Sequence, residues 1–184
     1  RVLFRSWEGP FHVAKTDSNS WMGPDPMVWA AELHPYKGKY YYFATFTNQA
    51  VKIDTVQGNV IERRASHVLV SDKPDGPYVP MKDSTYLPAD KPTLDGTFWV
   101  DKDGKPYMVY CYEWLQALDG TIEKIELKPD LSGTIGEGKL LFRASESPWS
   151  REKDADGKDK PNKVTDGPYL FRTGTGDRKS TRLN

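Results

Sequence analysis

Three carboxylate side chains stand at the heads of short apolar runs in this 184-residue sequence. Glu32 precedes LHPY, Asp95 precedes GTFWV and Asp166 precedes GPYLF. Two carboxyl groups, one protonated and one ionised, can act as general acid and general base on a bond that is to be hydrolysed. A buried acid must be paired or otherwise compensated, so a purely structural repeat has no need of one at these positions. The pattern therefore indicates acid–base chemistry at one site.

Each carboxylate opens a similar unit of an inner strand, a tight turn and an aromatic return strand. The turns are KGK, DKDGK and RTGTG, and the first two are followed by YYYFATF and PYMVYCY. Four short strands fit between successive acids, which is the size of a β-propeller blade. We expect the three carboxylates to converge near the central axis, on one face.

The remaining local signals are almost all those of strands. Gly, Pro, Asp and Lys separate β-branched and aromatic runs at 39–47, 66–71, 96–100, 105–114, 121–127 and 139–144. No window shows a sustained apolar period of 3.6 residues. The sequence predicts an all-β chain, a partial β-propeller with whole blades at about 30–90 and 94–145 and pieces of two more.

Composition excludes several classes of partner and cofactor. Lys plus Arg and Asp plus Glu both number 26, so we expect neither a nucleic acid nor a membrane partner. Cys111 is the single cysteine, which excludes an internal disulfide framework and a cysteine-based zinc site. The segment DADGKDK at 154–160 hints at calcium but lacks the terminal Glu of a binding loop. We therefore predict no required cofactor, and the segment favours a solvated loop over a structural calcium site.

Both ends of the chain look foreign to the rest. Residues 1–6, RVLFRS, and 177–184, DRKSTRLN, resemble in-frame translations of one common sequencing adapter. Such segments are set aside from fold reasoning, as an expression scar would be. We then expect residues 7–176 to be an internal part of a longer propeller domain.

Three segments carry a resemblance to a known family. WAAELHPYKGKYYYFATFT, LDGTFWVDKDGKPYMVY and VTDGPYLF resemble successive blade openings of glycoside hydrolase family 43, a five-bladed β-propeller. Members are inverting glycosidases, mostly arabinofuranosidases, arabinanases and xylosidases. The resemblance implies hydrolysis of O-glycosidic bonds in arabinose- or xylose-containing plant polysaccharide, by a secreted or periplasmic parent protein.

The family pattern assigns roles to individual carboxylates. It implies that Asp95 tunes the pKa of the acid and positions the sugar, and that Asp166 stands where the general acid belongs. The family has Glu at that place, so Glu146 and then Glu113 remain alternative acids. The catalytic base is expected upstream of Trp7.

Several further residues are candidates for contact with substrate. Glu32 is interpreted as a substrate-side or structural carboxylate, and His34 points to the same side of its strand. Sugar rings stack on aromatic side chains, for which Trp29, Trp99 and Trp114 are the candidates because each lies near a candidate acid in the sequence.

Two other functions are also compatible with the sequence. The Asp at the position of the acid would also suit a carbohydrate-binding propeller that has lost catalysis. A fructan-type hydrolase of a related five-bladed fold is the other alternative.

Overall fold

The computed structural model describes residues 9–14, 16–81, 88, 91–112, 114–147, 153, 155–160, 163–173 and, for the backbone, 176–182. These residues form ten strands and one short helix. The strands are β1 (Met27–Tyr36), β2 (Lys39–Val56), β3 (Asn59–Ser71), β4 (Val79–Pro80), β5 (Thr93–Val100), β6 (Pro106–Tyr112), β7 (Thr121–Leu127), β8 (Thr134–Arg143), β9 (Asp166–Thr173) and β10 (Gly176–Arg182). The helix α1 covers Trp114–Ala117, and a 3₁₀ turn covers Ala144–Glu146.

The strands form two four-stranded antiparallel sheets and one two-stranded sheet. Strand order follows chain order, β1-β2-β3-β4 and then β5-β6-β7-β8, while β9 pairs with β10. A meander of four antiparallel strands is the unit of a propeller blade. The all-β prediction is confirmed, as is the prediction of two whole blades with pieces of others. Residues 177–182, set aside above as adapter-like, supply most of β10.

Short turns join the strands of each blade. Lys37 and Gly38 link β1 to β2 with φ of 47° and 78°, as the KGK motif predicts for a two-residue turn of mirror-image type. Gln57 and Gly58 make the same kind of turn, with φ of 49° and 80°, between β2 and β3. This second hairpin is longer than the sequence predicts, because the polar segment NQAVKIDTV continues β2 well past its aromatic part.

The main apolar core lies between the two blades. Aromatic and aliphatic residues of β2 and β3 pack on those of β6 and β7, namely Tyr41, Phe43, Val68, Met108, Tyr110 and Ile125. Burying such a side chain contributes about 1.5–3 kcal/mol. A second cluster covers the opposite face of the first blade, where Met22 packs against Phe46, Leu69 and Tyr78. The shared core joins the two blades, and a hydrogen bond from Thr97 to Glu32 joins β5 to β1.

The tetrapeptide DGPY occurs twice, at 75–78 and at 166–169, and the first copy forms a turn after β3. Tyr78 donates its backbone N–H to the carbonyl of Val13 at 2.7 Å and its hydroxyl to the carbonyl of Pro74 at 2.9 Å. Its side chain is buried at the rim of the first blade.

Among the described residues, no helix has the length and apolar character needed to cross a membrane.

Candidate active site

A β-bulge at the head of β5 presents Asp95. The register slips by one residue between Leu94 and Thr97, so Asp95 and Gly96 together face a single residue of β6. Asp95 takes up the left-handed backbone conformation, with φ of 52°. Asp tolerates this conformation better than most residues, and a bulge turns a side chain away from the regular pleat. The bulge therefore turns the Asp95 carboxylate away from the regular faces of the sheet.

The same bulge recurs at the head of β1. There the register slips between Trp29 and Glu32, and Ala30 has φ of 44°. Ala30 is therefore the structural equivalent of Asp95, and Glu32 is the equivalent of Thr97.

The third inner strand carries a positive φ of 44° at Gly167, one residue after Asp166. Gly167 therefore corresponds to Asp95, and Asp166 to the residue before it. The alignment of Glu32, Asp95 and Asp166 at one repeat position is wrong. The reason is that each acid occupies a different place relative to the bulge: Glu32 lies two residues after the first bulge residue, Asp95 is that residue, and Asp166 is the residue before it.

The structure nevertheless brings Asp95 and Asp166 into contact. The two carboxyl groups are hydrogen-bonded to one another. The N–H of Gly167 also donates to Asp95 Oδ2 at 3.1 Å. A hydrogen bond between two carboxyl groups requires a proton on one of them. The geometry therefore builds a carboxyl pair that holds a proton.

The electrostatics of Asp95 agree with this arrangement. Burial, then the hydrogen bond to Asp166 and its negative charge, raise the pKa of Asp95 to about 7. The Gly167 N–H and the charge of Arg64 act in the opposite direction. Interacting carboxyl groups lose their protons in steps that belong to the pair. One proton therefore stays on this pair up to about neutral pH, which is what a general acid needs.

Glu32 is an ionised carboxylate on β1 that is hydrogen-bonded to the strand that carries Asp95. Its Oε2 accepts hydrogen bonds from Thr97 Oγ1 at 2.6 Å and from His34 Nε2 at 2.8 Å. Burial raises the pKa of Glu32, but the hydrogen bonds from His34 and Thr97 and the charge of His34 outweigh it, so the pKa lies below its usual value. Glu32 thus ties β1 to the strand that carries Asp95. The His34 ring packs edge-on against Phe43 and Phe98, each at 5.5 Å between centroids.

The three tryptophans occupy different surroundings. Trp29 is 46% exposed, and the guanidinium of Arg64 lies 5.8 Å from its ring centroid. Trp99 lies four residues along β5 from Asp95, roughly 13 Å away at ~3.3 Å per residue, with Arg172 5.2 Å from its ring centroid. Trp114 begins α1, just after β6 ends beside the head of β5. Trp29 and Trp114 are therefore at the end of the blades where the carboxyl pair lies, and Trp99 is not.

Glu146 lies apart from the carboxyl pair. Its Oε1 accepts the N–H of Arg143 at 3.2 Å, so it caps the 3₁₀ turn, and its side chain is exposed. Three strand spacings of ~4.8 Å separate β8 from β5, which puts the outer strand roughly 14 Å from the inner one. Glu113 falls outside the described residues.

Several residues of the site do not stand out in the sequence patterns described above. Arg64 donates from Nε to Thr47 Oγ1 at 2.9 Å and acts on the charge of Asp95. Thr45 and Ser66 accept backbone N–H groups of the bulge. Their signal was a hydroxyl at a buried position inside an apolar run.

Across the parts of the chain that the structure describes, no group of three or more His, Cys, Asp or Glu side chains is placed to hold a metal ion.

The described residues form part of a β-propeller that presents a proton-holding carboxyl pair at the heads of its inner strands. Residues 4–175 match glycosyl hydrolases family 43, and the chain belongs to that family. A comparison with curated proteins returned no match.

Solved structures also resemble the chain. An endo-arabinase from Bacteroides thetaiotaomicron VPI-5482 is 35% identical with a TM-score of 0.72, and the match covers 91% of this chain and 55% of that one. A thermostable family-43 glycoside hydrolase is 18% identical with a TM-score of 0.66, covering 91% of this chain and 50% of the other. An endo-1,4-beta-xylanase from Bacteroides thetaiotaomicron VPI-5482 is 18% identical with a TM-score of 0.59, covering 88% and 45%. The chain spans about half the length of these structures.

Proposed function

We propose that this chain is part of an inverting glycosidase that hydrolyses arabinose- or xylose-containing polysaccharide. The observation that carries the proposal is the contact between Asp95 and Asp166, with the pKa of Asp95 raised to about 7. Supporting it, the most similar of the three structures compared above is an endo-arabinase at 35% identity.

In the proposed reaction, Asp166 donates its proton to the glycosidic oxygen as the bond to the anomeric carbon breaks. Asp95 keeps that proton available through the hydrogen bond between the two carboxyl groups. A carboxylate across the sugar ring removes a proton from water, whose oxygen attacks the anomeric carbon from the opposite face. The products are a sugar of inverted configuration and a free alcohol. That second carboxylate belongs to the part of the domain expected upstream of Trp7.

The substrate side of the proposed site is formed by Trp29 and by Arg64 above it. An exposed indole can stack on a sugar ring, and the guanidinium can donate to its hydroxyl groups. Asp166 is one C–C bond, about 1.5 Å, shorter than a Glu at the same place. The sugar must therefore lie correspondingly closer to the head of β9. Trp114 stays a second candidate for stacking.

We further propose that the 184-residue chain is inactive by itself. It covers about half of its solved relatives, and the base of the proposed reaction is not among its residues as assigned here. A propeller interrupted between blades leaves apolar blade faces and strand edges uncovered, and such edges favour aggregation. Exposed Tyr169 and Phe171 on β9 illustrate such a face.

The test compares the 184-residue chain with a complete family 43 domain that contains it. Both are assayed on arabinan, on xylan and on arabinosyl and xylosyl aryl glycosides, beside a size-exclusion run. We expect turnover by the complete domain only. Turnover by a monomeric 184-residue chain would reject the inactivity and the assignment of the base, and binding of oligosaccharide without turnover by the complete domain would favour a carbohydrate-binding propeller.

A further inference from the structure

Two buried hydroxyl groups of the first blade hold the backbone that presents Asp95. The Asp95 N–H donates to Thr45 Oγ1 at 2.8 Å, and the Gly96 N–H donates to Ser66 Oγ at 3.0 Å. Thr45 and Ser66 face each other across β2 and β3, and both are fully buried. A bulge frees backbone N–H groups from the strand ladder, and buried donors require acceptors. Side chains of the first blade thus satisfy both donors of a bulge in the second.

Close packing leaves little freedom in this contact. The Ser66 N–H donates to Thr93 Oγ1 at 2.9 Å, so the serine is held from the same strand that carries the bulge. A Cβ atom at Gly96 would lie 2.8 Å from Ser66 Oγ and 2.8 Å from Met108 Sδ, which only glycine avoids. The backbone of the bulge therefore rests directly on the hydroxyl.

The second blade lacks hydroxyls at the equivalent positions. Thr45 faces the residue before the bulge of β1, and Cys111 faces the residue before the bulge of β5. Cys111 in turn faces Ile122 on the next strand, and both are buried. Blade packing at this level therefore does not require hydroxyl groups, whereas those of Thr45 and Ser66 accept the N–H groups of the β5 bulge.

We infer that Thr45 and Ser66 are positioning residues, whose hydroxyls form a clamp that fixes the Asp95 bulge against Asp166. The inference rests on the proposed function for its effect on turnover, but not for its effect on the carboxyl pair. Without the clamp, the freed N–H groups draw the bulge toward other acceptors or water, and the Asp95 carboxyl moves relative to Asp166. A displacement of about 1 Å in a catalytic group costs up to about 100-fold in rate.

The test uses two variants of the complete domain. Thr45→Val replaces the hydroxyl by a methyl group at nearly constant shape, and Ser66→Ala removes only the hydroxyl. Thr45→Ser keeps the hydroxyl and serves as rescue. Thr121→Val is the matched control, because Thr121 is also buried and its hydroxyl contacts Glu123 rather than the bulge. We expect Thr45→Val and Ser66→Ala to lower kcat by about 10- to 100-fold with KM within about threefold. Thr45→Ser and Thr121→Val should stay near the parent.

A second readout does not depend on turnover. Titration of the Asp95 carboxyl by ¹³C NMR should give a pKa near 7 in the parent domain. The loss of contact with Asp166 in Thr45→Val should lower that pKa by about one unit, and Thr121→Val should leave it in place. An unchanged Asp95 titration in Thr45→Val, or an equal effect of Thr121→Val, overturns the clamp. Absence of turnover in the parent rejects the proposed glycosidase instead, and the titration still decides the clamp.

Discussion

Replacing Asp95 by Asn should abolish most turnover and at the same time stabilise the fold above neutral pH. Asn retains the tolerance for a left-handed backbone and a side-chain oxygen that can accept the Gly167 N–H, so the geometry of the bulge is preserved. What the substitution removes is the charge, in a place where burial and Asp166 raise the pKa of Asp95 to about 7. The variant therefore separates the effect of this carboxylate on turnover from the effect of its charge on the unfolding free energy.

The magnitude follows from the difference between folded and unfolded pKa values. The unfolded carboxyl titrates near 3.8 and the folded one near 7. Between these values the folded state holds more protons, so the stability present at low pH is lost as the pH rises toward 7. At 1.36 kcal/mol per pKa unit the full effect is about 4 kcal/mol, and solvent screening of a partly exposed group reduces it to about 2 kcal/mol.

Urea denaturation of the complete domain at pH 4.5 and pH 8 measures this directly. The unfolding free energy of Asp95→Asn minus that of the parent should be about 2 kcal/mol larger at pH 8 than at pH 4.5. The kcat of the variant should be at least about 100-fold below that of the parent. Equal pH dependence in parent and variant, or a variant less stable than the parent at pH 8, would refute the placement of Asp95 beside Asp166.

Three more variants test other parts of the account. Asp166→Ala should nearly abolish turnover of substrates with poor leaving groups and spare activated aryl glycosides, as kinetics on paired substrates would reveal. Burial lowers the pKa of His67 from 6.5 to about 4, so the stability present above pH 6.5 is lost as the pH falls toward 4. In urea denaturation, the parent should lose about 3 kcal/mol of unfolding free energy between pH 6.5 and pH 4 that His67→Phe does not lose. A parent whose unfolding free energy does not fall over this range would contradict the burial of this ring. Lys91→Met leaves the buried Glu123 carboxylate without its cation at 2.8 Å. Lys91→Met should lower the unfolding free energy by about 2 kcal/mol at pH 7, and adding Glu123→Gln should restore most of that loss. An unchanged unfolding free energy in Lys91→Met would contradict the ion pair.

The blade architecture was readable from the sequence because its turns have strong local chemistry. The KGK and DKDGK loops join strands at the predicted places, and the aromatic return strands form the centre of the core. The turn at Gln57 and Gly58 was missed because a polar β-ribbon beyond the core has no apolar alternation to mark it.

The carboxyl pair was predicted by resemblance, but its geometry was not. The sequence gives no sign that Ala30 adopts a positive φ, so the bulge that shifts Glu32 away from the position of Asp95 could not be read from it. Thr45 and Ser66 escape prediction for a related reason. Their partners are backbone groups of another blade, and contacts that join distant parts of a chain leave no local pattern.

The stereochemistry of hydrolysis tests the central proposal most directly. ¹H NMR of the first sugar released by the complete domain distinguishes the two anomers before they interconvert. The first-formed sugar should have the inverted configuration, and Asp95→Asn and Asp166→Ala should both suppress its release from unactivated substrate. Release of a sugar with retained configuration, or undiminished release by the two variants, would contradict the roles assigned to this carboxyl pair.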